Sequence, residues 1–295
     1  MRFNRPPYTL VAAVLLWTLS TLAAAGLPLT GTWTGAPRED RLQLNFRTRG
    51  NGNMGMSLPR SAFQGLNTAD GTDTKFQLVR EAGTLHFEGR FAQGEGAGHY
   101  RFEPNPTWSG EMAKLGYTDI SPEEQAQFAL FDLGPKRVRE LAELGYTKIP
   151  HKQLLEVAIF EVTPEHIRGL KAAGHDKLTL KQLIQTRIHD VTPEHIRELA
   201  ALGFRNLDLD DVMATSIHDI TPEFVREMRG LGLGELSLAQ LVEMRIHGVT
   251  PRYVKEIREA GYPDVTARQL VEMRIHAIDG DYVRSLSRHK NPGKK

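Results

Sequence analysis

Four histidines, His189, His218, His247 and His276, recur at a step of 29 residues, and Asp190 and Asp219 directly follow the first two. Imidazole beside carboxylate is zinc-ligand chemistry, and an imidazole is also the side chain most readily titrated near neutral pH. The spacing argues against a shared ion. Equivalent positions on packed helices lie ~8–10 Å apart, whereas a zinc–nitrogen bond is only ~2 Å long. The expectation is that each imidazole closes a helix, its partial positive charge facing the negative end of the dipole, or forms a pH-sensitive junction.

Cations recur at the same step. Arg139, Arg168, Arg197, Arg226 and Lys255 form one column, accompanied by Glu140, Glu198, Glu227 and Glu256. Arg187, Arg245 and Arg274 form a second. Such columns read as a solvated mixed-charge face or as a row of donors able to grip an acidic peptide or anionic glycan. Both columns are candidates for a binding surface.

Nothing comparable points to catalysis or to a cofactor. The chain has no H-E-x-x-H, G-x-S-x-G or G-x-x-x-x-G-K-[ST] string and no cysteine, which removes disulfides, thiolate metal sites and cysteine nucleophiles. Gly50-Asn51-Gly52-Asn53-Met54-Gly55 matches G-x-G-x-x-G, but Pro59 interrupts the helix that a dinucleotide site requires. It reads as a hairpin loop, as does Gly94-Glu95-Gly96-Ala97-Gly98.

The elements that position the columns are written in two further ladders. Pro106, Pro135, Pro164, Pro193, Pro222 and Pro251 share the 29-residue step, as do Gly116, Gly145, Gly174, Gly203, Gly232 and Gly261. Thr163, Thr192, Thr221 and Thr250 precede their prolines, with Asn105 and Asp279 in the outermost units. A capping side chain followed by proline starts a helix, and the glycine ends it in the left-handed conformation. A second cap follows at Ser121, Thr179, Asp208, Ser237 or Thr266. The unit is therefore helix, turn, helix, turn. Helices of about ten residues are marginal alone, so they must stack. Residues 105–290 read as six such units and a capping helix, an α-helical hairpin repeat array or α-solenoid, with 291–295 a frayed tail.

Residues 26–104 follow another rule. Leu42, Leu44 and Phe46 alternate with polar residues, as do Leu85, Phe87 and Phe91, and Tyr100 and Phe102. Period two predicts five to seven antiparallel strands in a small barrel or sandwich, with a turn or short helical excursion from Ser61 to Leu66. The fold class is α+β and multi-domain. At the N-terminus Arg2 and Arg5 precede an apolar stretch from Leu10 to Leu22 and then Ala23-Ala24-Ala25. This is the pattern of a secretory signal peptide over 1–25, cleaved near Ala25, and it predicts export to a periplasmic or extracellular space. The net charge of +1 and that compartment argue against nucleic acid. A membrane is engaged only through the leader.

The stretches "RIHDVTPEHIRELAALGF" (187–204) and "RIHGVTPRYVKEIREAGY" (245–262) resemble bacterial helical repeats of the theme R-I-H-x-V-T-P-x-[FY]-[IV]-x-x-[LM]-x-x-x-G-[YF]. Such repeats are found in exported proteins and appended to membrane metallopeptidases of the beta-lactam-sensor type. "FEGRFAQGEGAGHYRFEPNP" (87–106) is similar to the strand-to-repeat junction of soluble members. The chain departs from the theme at Phe131, Phe160 and Gly134. The resemblance implies no catalytic residue here. The leader and the repeats predict an exported, non-catalytic binding or scaffold protein with a protein or peptide partner, and the resemblance implies a role in envelope sensing or signalling. The alternative expectation is that the β domain binds or processes a small molecule or glycan while the repeats position it.

Overall fold

Over residues 30–104, alternation resolves into seven strands in a computed structural model that describes residues 27–47 and 53–290. They are β1 Thr30–Arg38, β2 Arg41–Arg47, β3 Asn53–Pro59, β4 Phe63–Gln64, β5 Thr72–Arg80, β6 Gly83–Ala92 and β7 Glu95–Pro104. A 3₁₀ turn, Arg60–Ala62, introduces β4. The proposed leader, the tail 291–295 and residues 50–52 of the glycine string lie outside the described residues.

All strands join one antiparallel sheet in the order β3-β2-β1-β7-β6-β5-β4. It curls into a half-barrel, and its end strands β3 and β4 do not pair. The expected closed barrel or two-layer sandwich is therefore replaced by a single open sheet. The helix Pro122–Leu130 packs against β5, β6 and β7, covering apolar surface that a second sheet would otherwise have to cover.

Of the glycine strings expected as loops, residues 53–55 and 95–98 are strand, while Gly94 sits in the turn before β7. Gly55 lies in β3, and Gly96 and Gly98 lie in β7. Gly98 stands opposite Gly89 of β6 and also opposite Trp33 of β1. A Cβ on Gly98 would fall 1.9 Å from the Glu88 carbonyl oxygen, and one on Gly89 2.2 Å from that of Ala97. The glycines are required by this close approach. The Trp33 ring packs edge-on to Phe76 at 5.3 Å and to Phe87 at 6.1 Å. Its indole N–H points at the carbonyls of His99 (3.2 Å) and Glu88 (3.3 Å).

Thirteen helices follow among the described residues. The first helices of successive units are α1 Pro106–Lys114, α3 Pro135–Glu143, α5 Pro164–Ala172, α7 Pro193–Ala201, α9 Pro222–Gly230 and α11 Pro251–Glu259. The second helices are α2 Pro122–Leu130, α4 His151–Ile159, α6 Leu180–Ile188, α8 Leu209–Ile217, α10 Leu238–Ile246 and α12 Ala267–Ile275, and α13 Gly280–Lys290 ends the series. The caps act as the ladders require. Thr192, Thr221 and Thr250 accept from backbone N–H groups of α7, α9 and α11. Ser121, Thr179, Ser237 and Thr266 complete reciprocal capping boxes with Glu124, Gln182, Gln240 and Gln269. The ladder glycines all have positive φ, from 65° at Gly232 to 119° at Gly261.

The chain divides between Pro164 and Glu165 into two compact units. The change from strand to helix falls at Pro104–Pro106, near the expected domain boundary at 104, but the first unit continues through two further helix pairs. In it α1 packs on α3 and α2 on α4. Its first repeat diverges because it is bonded to the sheet. Gln125 donates to the carbonyls of Ala82 (2.6 Å) and Asn105 (3.1 Å), and Ser109 Oγ donates to Gln125 Oε1 at 2.9 Å. Gly134 replaces the usual threonine where a Cβ would fall 2.0 Å from Glu81 Oε2. In the second unit α8 packs on α10, α10 on α12, α9 on α11 and α11 on α13. Like helices meet like. They share a core that runs from Ile220 and Phe224 through Val254 and Leu270 to Val283.

Candidate functional site

The histidine ladder ends the second helices, as the spacing predicts. His189, His218, His247 and His276 are the C-cap residues of α6, α8, α10 and α12. The next residue turns left-handed each time: Asp190 (φ 52°), Asp219 (53°), Gly248 (70°) and Ala277 (54°). The electrostatic expectation needs correction at two rungs. Burial pushes the His189 and His218 imidazoles below their ordinary pKa of 6.5, which opposes the charge that the helix end would favour. A neutral ring gains little from the helix dipole. Among the described residues, no group of three or more His, Asp or Glu side chains is placed to hold a metal.

The two cation columns differ in kind. In the second unit Arg168, Arg197 and Arg226 are exposed and pair with the glutamate three residues earlier: Glu165 (3.5 Å), Glu194 and Glu223 (3.1 Å), the Arg197–Glu194 pair being 2.5 Å. Lys255 is exposed on α11, and Arg139 is exposed on α3 of the first unit. Solvent screening leaves such i,i+3 pairs worth only a few tenths of a kcal/mol. This column is a mixed-charge face.

Arg245 and Arg274 of the second column bind other repeats instead. Arg245 Nε and Nη2 donate to the Asp219 carbonyl at 3.1 and 2.7 Å, and Nη2 lies 2.6 Å from the Asp219 carboxylate. Its guanidinium sits 4.3 Å from the Phe224 ring centroid. Arg274 Nε donates to the Gly248 carbonyl at 3.1 Å, and its guanidinium lies 4.6 Å from the Tyr253 ring centroid. Arg187, at the end of α6, is half-buried and within electrostatic reach of His166. A further pair went unnoticed in the sequence. Arg229 donates to Leu202 O (2.8 Å) and Arg258 to Leu231 O (2.6 Å), satisfying the carbonyl of the residue that caps the preceding first helix. The signal was there: Arg229 and Arg258 stand 29 residues apart.

These arginines act as staples, which predicts a measurable cost. Replacing Arg245 with alanine should destabilise the second unit by about 1–3 kcal/mol, from lost charge-assisted hydrogen bonds and a partly desolvated cation–π contact. Lysine should restore less than half, because an ammonium lacks the planar fork. Urea unfolding followed by far-UV circular dichroism measures both. Full restoration by lysine would refute the staple geometry.

Sequence reading also passed over a buried polar layer. His166 Nε2 lies 2.9 Å from Thr186 Oγ1, and His195 Nε2 lies 2.7 Å from Thr215 Oγ1. Each threonine hydroxyl donates to its own helix, to Leu183 O and Val212 O respectively. Its proton is thus committed, and the imidazole must donate through Nε2–H. Burial pushes the His166 imidazole down to about 4, with Arg187 adding to the fall, and lowers His195 as well. The next two repeats place Phe224 and Tyr253 opposite Met244 and Met273 at the same positions. Histidine at the aromatic place of the theme, with threonine twenty residues on, was the legible clue.

Two surface features of the second unit stand out, a cleft and an apolar row. An open cleft of about 490 Å³ is lined by Ile188, His189, Asp190, His195 and Glu198 on one side and by residues from Thr215 to Glu223 on the other. Its charged lining residues are Asp190, Glu198, Asp219 and Glu223. Beside it runs an apolar row: Ile217, Ile246 and Ile275 are 43%, 42% and 56% exposed at one residue per repeat, and Ile217 and Ile188 also line the cleft. In contrast, the buried face of the β sheet is occupied by aromatic rings in mutual contact, such as Phe76 stacked on Phe87 at 4.6 Å and Tyr100 edge-on to Phe46 at 5.2 Å. Among the described residues, no helix is long and apolar enough to cross a membrane. Compared with family models, with curated proteins and with solved structures, the chain matches none.

Proposed function

We propose that this chain is an exported, non-catalytic binding protein whose helical units continue as an α-solenoid and present a contact surface to a protein or peptide partner. The row Ile217, Ile246 and Ile275 carries the reading. Single exposed aliphatic side chains are ordinary, but a row in register with the repeat is costly to leave in water and is the pattern of a surface that meets a partner. The mixed-charge column of Arg168, Arg197 and Arg226 supports solubility, since its charges are balanced by neighbouring glutamates. Export rests on the Arg2 to Ala25 pattern in the sequence.

The test is photo-crosslinking in the native cell, with a photoreactive residue at position 246. A discrete adduct is expected, and it should vanish when Ile217 and Ile275 are both replaced by glutamate. Those residues are exposed, so the fold should survive, as far-UV circular dichroism would verify. Adducts from a probe at Lys75, exposed on the sheet, with none from position 246, would refute the proposal in favour of recognition by the β domain.

A further inference from the structure

The cleft lies where the arginine of the neighbouring repeats is replaced by serine. Where α10 and α12 end, Arg245 and Arg274 fill the space between repeats and lie over the aromatic rings of Phe224 and Tyr253. One repeat earlier, at the end of α8, the equivalent residue is Ser216. The positions matching Asp219 and Phe224 are held by Asp190 and His195. Serine has neither the reach nor the charge to span that space, and the cleft of about 490 Å³ opens there.

What Arg245 binds is preserved around Ser216. The backbone at the end of α6 repeats that at the end of α8: His189 has φ −103°, ψ 16° and His218 φ −102°, ψ 13°. The residues that follow, Asp190 and Asp219, have φ 52° and 53°. The Asp190 carbonyl and carboxylate are therefore offered in the arrangement that receives Arg245 at Asp219 through three contacts of 3.1, 2.7 and 2.6 Å. Among the described residues Asp190 enters no ion pair. No lysine or arginine lines the cleft, and Glu198 adds a further negative charge. The His195 ring is fixed by its 2.7 Å bond to Thr215, so it offers a flat face where Phe224 offers one to Arg245.

We propose that this cleft binds a guanidinium group supplied in trans, held by the Asp190 carboxylate and carbonyl and seated on the His195 ring, in place of the arginine that Ser216 replaces. Planar two-point recognition of a carboxylate favours guanidinium over ammonium. The inference deepens the binding reading by naming the chemical group the array takes. The apolar row that borders the cleft through Ile188 and Ile217 suits an arginine flanked by apolar residues.

The experiment uses the full chain and two probes: acetyl-arginine methylamide, and an end-blocked peptide with one arginine between isoleucines. Binding is read by calorimetry and by the amide resonances of Asp190 and Ser216. Saturable binding is expected, at least tenfold weaker when citrulline or lysine replaces the arginine. Asp190→Asn should weaken it at least tenfold, and Ser216→Arg should abolish it by filling the cleft from within. A peptide that binds more tightly than the methylamide assigns the site to a partner's arginine side chain; equal affinities assign it to a small guanidino compound. Equal binding of the citrulline peptide, or unchanged binding by a folded Ser216→Arg chain, overturns the proposal. Should Ser216→Arg fail to fold, Asp190→Asn and the citrulline peptide decide. Guanidinium binding and crosslinking at position 246 are separate readouts, so failure of one leaves the other standing.

Discussion

Replacing Trp33 with alanine is expected to destabilise the first unit by about 3–5 kcal/mol, the range for removing a large buried aromatic side chain. Trp33 is 1% exposed. Its ring lies among Phe76, Phe87 and Phe91, with centroids 5.3, 6.1 and 5.7 Å away, and its N–H is shared between the His99 and Glu88 carbonyls. Phe87 and Phe91 flank Gly89 on β6, where the backbone of β7 leaves no room for a side chain. Neighbouring strands held this tightly cannot move in to refill the hole, and the cavity cost adds to the transfer cost. Gly89→Ala should be damaging in the opposite sense, since its Cβ would meet the Ala97 carbonyl at 2.2 Å; about 1–3 kcal/mol is expected from such overpacking. Hydrogen exchange at β1, β6 and β7 amides reads both changes. A loss below about 1 kcal/mol for Trp33→Ala would mean that this ring does not organise the sheet.

The second unit is expected to lose roughly 3 kcal/mol of stability between pH 6.5 and pH 4 through His166 alone, at about 1.4 kcal/mol per pKa unit. The sign follows from where the proton goes. In the unfolded chain the imidazole titrates near 6.5, and in the folded chain near 4, because burial and then Arg187 oppose its charge while Glu194 only partly compensates. Above pH 6.5 neither state holds the proton, so the group contributes nothing. As pH falls below 6.5 the unfolded chain takes up a proton that the folded chain refuses, and the balance shifts toward unfolding until both forms are protonated below about 4. His195, lowered for the same reason despite Glu198, acts in the same direction.

The apolar layer of the later repeats supplies the control. His166→Phe with Thr186→Met copies the Phe224 and Met244 positions and leaves no orphaned hydroxyl or ring nitrogen. Urea unfolding by far-UV circular dichroism reports on helices, so it follows this unit across pH. The gap between the double variant and the original chain should widen by roughly 3 kcal/mol on going from pH 7 to pH 4. Parallel stability curves would show that His166 is not the acid-sensitive group.

Sequence and structure meet most closely where the determining contacts are local. A cap side chain reaches a backbone N–H three residues away, as Thr250 reaches Tyr253 at 3.2 Å, and proline and glycine act on their own φ. Six units of helix, turn, helix could therefore be read from types and spacing alone. Alternation located the strands for the same reason. The glycines of β7 carry no such local mark, because Gly96 and Gly98 answer to the approach of β6, a constraint across strands that leaves no trace in the neighbouring residues.

The sequence by itself determined where most helices begin and end and which of their faces are apolar, because those properties are set within a few residues of chain. Only the tertiary structure decided what each charge does. Arg226 and Arg245 look alike in a 29-residue ladder, yet one faces solvent beside Glu223 and the other lies on Phe224 and Asp219. The same holds for Ser216, an unremarkable residue in the chain whose short side chain leaves Asp190 without the arginine that Asp219 has. A periodic sequence fixes which positions are equivalent; the partner of each is fixed by the direction in which successive units pack, and that is a property of the assembled array.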